Sequence, residues 1–147
     1  MAETIFIAVH IVALVGWAAL FGLPWLGRRR AILWARWCAV PLCLLYLLFL
    51  LTHLEAIPRD AGYTLAAVGL AFDKPVLLLA GWIHYLVLDL WVGTWEAEHA
   101  GEAGIGHGAL LPCLISTFMI GPFGLLLYLA VAAWKGRRAA ARRPSEG

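Results

Sequence analysis

The stretch Asp73-Lys74-Pro75-Val76-Leu77-Leu78-Leu79-Ala80-Gly81-Trp82-Ile83-His84-Tyr85-Leu86-Val87-Leu88-Asp89-Leu90-Trp91-Val92-Gly93-Thr94-Trp95 decides the fold. Its start is marked, because Asp73 can cap a helix and Pro75 suits a first helical turn. From Pro75 to Trp95 the run is apolar, and at about 1.5 Å per residue it is long enough to cross a hydrocarbon core about 30 Å thick. Two ionisable residues, His84 and Asp89, interrupt it. Near the centre of a span such groups cost at least about 2.5–3.5 kcal/mol, so they normally face the interior of a bundle.

The rest of the chain is of the same kind. Of 147 residues, 63% are hydrophobic and 14% charged, whereas a soluble domain is about 45–50% apolar and about 25% charged. An ordinary soluble fold is excluded. Apolar runs at about 5–26, 32–57, 75–95 and 110–134 predict an all-α, polytopic membrane protein, a bundle of four transmembrane helices within one domain, 1–135. The first run lacks a preceding basic residue and is followed by Arg28-Arg29-Arg30, the reverse of a cleaved signal, so it reads as a retained helix. Residues 63–72 are apolar but too few to cross, which makes them an interfacial connection able to serve as a lid. Residues 136–147 read as a basic, disordered tail.

The net charge of +2 informs through its placement. Basic residues cluster at Arg28, Arg29 and Arg30 and again at Lys135, Arg137, Arg138, Arg142 and Arg143, each beside an apolar run. Anionic lipid headgroups are the expected partner there, and no nucleic acid is. Four full crossings put both termini on one face with Arg59 and Lys74, against Arg28, Arg29, Arg30 and Arg36 on the other. That count favours cytoplasmic termini, in a multi-pass protein of the bacterial inner (plasma) membrane. Cys38, Cys43 and Cys113 lack C-x-x-C spacing and read as buried fillers. Homo-oligomerisation stays open.

The polar groups inside the spans are few: His10, then His53 and Glu55, then His84 and Asp89. Alternating helix direction places His10, His53, Glu55 and His84 in one half of the bundle. Helical spacing puts Trp82, Tyr85, Asp89, Gly93 and Glu96 on one stripe, with His84 about 140° away from Asp89 on the wheel. Trp17 shares a face with His10, and Tyr46 with His53. The expected product is an aromatic-lined hollow with proton-active groups. Glu96, Glu98, His99, Glu102 and His107 read as a solvated loop. In the fourth run Cys113, Thr117, Gly121, Gly124 and Tyr128 form a small-residue strip that admits a close helix, and Pro122 should kink it.

Three blocks go further: Asp73-Lys74-Pro75; Gly81-Trp82-Ile83-His84-Tyr85-Leu86 with Asp89-Leu90; and Gly121-Pro122-Phe123-Gly124-Leu125-Leu126-Leu127-Tyr128. In this order they resemble the abscisic-acid-deficient-four-like (neoxanthin-synthase-like) family of integral membrane proteins, densely over about residues 70–130. With no transit peptide ahead of the first run, the chain resembles the prokaryotic members. The resemblance implies an apolar carotenoid or other isoprenoid ligand entering sideways from lipid, and an isomerase that turns an epoxide into an allene by acid/base chemistry. Such chemistry needs two proton-active groups held dry. On this reading Asp89 is the acid, His84 the base and Glu55 a substitute acid, while Trp17, Tyr46, Trp82, Tyr85 and Tyr128 bind substrate. No cofactor is required. A single metal ion on His10, His53 and His84 with a carboxylate stays open, whereas the clustered histidine boxes of a di-iron enzyme are missing. The non-catalytic alternative is a carotenoid- or lipid-binding bundle assisting a partner enzyme, which would tolerate Asp89→Asn.

Overall fold

A computed structural model describes residues 2–60 and 62–141. The described residues are almost wholly helical and contain no strand. Helix α1 (Ala2–Phe21) is followed by a single turn, α2 (Leu23–Leu26), and by α3 (Arg28–Thr52). The chain then makes a short 3-10 turn at Leu54–Ala56, a small helix α4 (Leu65–Phe72), and the two long helices α5 (Pro75–Glu102) and α6 (His107–Ala141). Four helical segments, in α1, α3, α5 and α6, are long and apolar enough to cross a membrane. Large apolar side chains such as Ile7, Leu14, Leu44 and Trp91 are exposed along their outer faces. The expected disordered tail is helical over 136–141, where α6 continues. Its remainder, with Arg142 and Arg143, lies outside the described residues.

Local chemistry sets most helix ends. Thr64 caps α4, its hydroxyl accepting the Ala67 N–H at 3.2 Å. Asp73 closes α4 rather than opening α5, whose N-cap is Lys74 with Pro75 in the first turn. Segment 63–72 is therefore mostly helix, and the Phe72 ring lies so close to Gly81 that a Cβ there would meet it at 2.6 Å. At the other end α5 continues past Trp95 to Glu102, because Glu96, Ala97 and Ala100 extend its buried stripe. The polar residues expected in a loop there are thus helical, and the turn is only Ala103–Gly106, with Gly104 at a φ of 63°.

Helices α1, α3 and α5 pack side by side. Their near end, where α1 begins, brings Phe6 and His10 to Trp82 and ties Lys74 Nζ to the Ala56 carbonyl at 2.6 Å. Their far end joins the Arg28 guanidinium to the Ala97 carbonyl and Arg36 to Glu98 at 2.6 Å. The Arg36 side chain also lies over the Trp91 ring.

The fourth segment is not one rod. A straight helix would carry Lys135 about 42 Å from His107, yet Lys135 Nζ donates to the Gly104 carbonyl at 3.1 Å. Ile120 has non-helical angles, φ −147° and ψ 67°, and there the helix doubles back. A Cβ on Gly124 would overlap the Thr117 backbone, and Tyr128 returns to Trp95 and His99 at the far end of α5. The expected kink is thus a hairpin: one arm, 107–119, runs in and a second, 121–141, runs out. Pro122 has no N–H to give the Phe118 carbonyl and suits the first turn of the returning arm. The small-residue strip is present, and the close helix it admits is its own other arm. At about 1.5 Å per residue the first arm is about 20 Å long, short of a hydrocarbon core about 30 Å thick. The inference that both termini share a face rested on four full crossings and loses that basis. Cys43 is exposed and Cys38 half-buried; of the three cysteines only Cys113 is a core filler.

Candidate functional site

The hairpin tip meets α5 at Asp89, the midpoint of that helix. Asp89 is buried, and its carboxylate lies directly against Gly121, where any Cβ would collide with it. Its Oδ2 has no hydrogen-bond partner among the described residues. Helical side chains lean toward the N-terminus, so Asp89 leans toward Tyr85, one turn earlier. Tyr85 stacks obliquely on Trp82, with ring centroids 5.4 Å apart.

Below that tip the outer side of α1 and α5 is left uncovered, because the fourth segment has already turned back. A groove of about 380 Å³ opens there, lined by Glu3, Phe6, Pro75, Leu78, Leu79 and Trp82. The Trp82 indole N–H donates to His10 Nε2 at 3.0 Å. With that nitrogen accepting, the proton of a neutral His10 sits on Nδ1, which donates to the Phe6 carbonyl at 2.7 Å. Trp82 and Asp89 are seven residues apart on one face of α5, about 10 Å along the axis.

The other expected residues go elsewhere. His84 is exposed and faces Tyr46 of α3, ring centroids 5.5 Å apart, so the structure does not bring it to Asp89. Glu55 is exposed in the 3-10 turn. His53 Nδ1 lies 2.8 Å from the Thr52 hydroxyl and 3.1 Å from the Phe49 carbonyl. His10, His53 and His84 thus keep separate neighbours, and among the described residues no group of three His, Cys, Asp or Glu side chains is placed to hold a metal ion. Trp17 is packed solid between Gly93 and Phe118. Tyr128 is fully buried and shares a 2.6 Å hydrogen bond with His99. Neither ring borders the groove.

Glu96 is what the loop reading missed. It is fully buried, Oε1 accepts the Thr117 hydroxyl at 2.8 Å, and Oε2 has no partner among the described residues. The signal was in the sequence, since Glu96 lies on the Asp89 stripe. Thr117→Val would deprive Glu96 of its donor at almost constant volume. The expected cost is about 1–3 kcal/mol, read as a lower thermal unfolding midpoint in detergent.

Four long apolar helical segments, a buried carboxyl at the midpoint of α5 and a groove between α1 and α5 define a polytopic membrane protein. The ABA DEFICIENT 4-like family model matches residues 4–128. The chain belongs to that family of carotenoid-related membrane proteins. Comparison with curated proteins and with solved structures finds no match.

Proposed function

We propose that the chain isomerises a carotenoid or related isoprenoid lipid by acid/base chemistry, with Asp89 moving the proton. One observation carries the reading: a buried carboxyl oxygen without a partner among the described residues stands on the helix stripe that leads down to the aromatic groove. Asp89 in its acid form gives its proton to an epoxide oxygen as the ring C–O bond breaks. The carbon left electron-poor shares its charge with the polyene, and the faces of Tyr85 and Trp82 stabilise that charge. The Asp89 carboxylate then takes the proton from the adjacent polyene carbon, which leaves an alcohol and an allene. No proton or electron is gained overall, so one carboxyl serves both steps. His84 and Glu55, exposed and away from the tip, are not needed.

The test is incubation of the purified protein with a 5,6-epoxy-carotenoid, followed by pigment separation. A product of unchanged mass and different chromatographic retention, with an allene in place of the epoxide, is expected. Bound but unaltered pigment would leave the binding-only reading in its place. Trp82→Leu removes the ring at the groove and the donor to His10, and should weaken pigment binding about tenfold, about 1.4 kcal/mol, measured by tryptophan quenching or retained colour.

A further inference from the structure

We propose that residues 107–141 enter and leave the membrane through one face, so that the chain crosses three times, and that this face docks on the anionic headgroups of the cytoplasmic leaflet. The path follows from contacts at both ends of the hairpin. Its tip lies at Asp89, halfway along α5, and its two outer ends lie together at Gly104 and Lys135. The far ends of α1 and α5 are there too, through Arg28 and Ala97.

Charge supplies the partner. The hairpin brings Lys135, Arg137 and Arg138 to the face that already holds Arg28, Arg29, Arg30 and Arg36. The opposite face, among the described residues, has Arg59 and Lys74. A straight fourth crossing would divide the basic residues between faces; the hairpin gathers them. Seven against two is the asymmetry that retains a face on the cytoplasmic side, where the leaflet is negative. Exposed Trp25, Trp34 and Trp134 ring that face, as side chains with an apolar body and a polar edge do at a headgroup boundary. Glu3 and the start of α1 then lie on the other side.

Cysteine labelling in intact bacterial cells tests this. Glu3→Cys, Glu102→Cys and Arg137→Cys are introduced singly into a chain whose native cysteines are serine, and a membrane-impermeant maleimide is applied before and after permeabilisation. The expected result is labelling of position 3 in intact cells, and of 102 and 137 only afterwards. Positions 102 and 137 on different sides would overturn the hairpin path, and labelling of both in intact cells would overturn the cytoplasmic assignment. Should the cysteine-free chain fail to accumulate, full-length fusions to a fluorescent protein that folds only in the cytoplasm replace it. Fluorescence from the C-terminal fusion and none from the N-terminal one supports the proposal; the reverse pattern, or fluorescence from both, overturns it.

Discussion

Gly124→Ala is expected to abolish the folded protein although it adds a single methyl group. The added Cβ would overlap the backbone N and Cα of Thr117 as well as its hydroxyl, and the backbone cannot swing aside. The two arms would have to part, and with them the packing of Leu110, Cys113, Leu114 and Tyr128. Overpacking a core commonly costs about 1–3 kcal/mol and more where backbone must move, so a loss upwards of about 3 kcal/mol is expected here. The measurement is the yield of monodisperse protein after detergent extraction, with its unfolding midpoint. Gly136→Ala is the control, because a Cβ there meets nothing within 4 Å, and helix propensity alone should raise stability by up to about 1 kcal/mol.

Asp89→Asn is expected to leave that fold intact and to remove the conversion. Asparagine has the shape of the carboxyl and fits the same space against Gly121, but it cannot give and retake a proton. Positioned proton transfer is worth about 10²- to 10⁴-fold in rate, and product formation should fall by at least the lower figure while bound pigment is unchanged. A chain that only carries its ligand would keep its bound pigment too, but would have no conversion to lose. His84→Ala separates the two sequence candidates: on the structural placement it should retain most of the conversion. Equal activity of Asp89→Asn and the parent would remove the catalytic reading.

Much of the architecture was legible in the sequence. A continuous apolar run bounded by Lys74-Pro75 could hardly be anything but a long helix, and the stripe through Trp82, Tyr85, Asp89 and Glu96 follows from helical spacing alone. The same spacing warned that His84 stood about 140° from Asp89, and the structure sends it to Tyr46 instead. What the sequence hid was the fate of the fourth segment. A Gly-Pro pair reads as a kink, and only the partner of each small residue separates a bend from a reversal. Glu96 was hidden by its neighbours, since Glu98, His99 and Glu102 make the region resemble a polar loop even though one helical face remains buried. The groove was hidden for the same reason as the hairpin: it is the space that a full-length fourth rod would have covered.

With the hairpin placed as inferred, the molecule has a different girth in the two leaflets. Five helical rods cut the cytoplasmic half, and three cut the other. Each rod is about 10 Å across, so the footprints differ by roughly two rod sections, about 160 Å² by the same dimension. A body of that wedge shape imposes its own packing on the surrounding acyl chains, and its residence should follow local bilayer curvature.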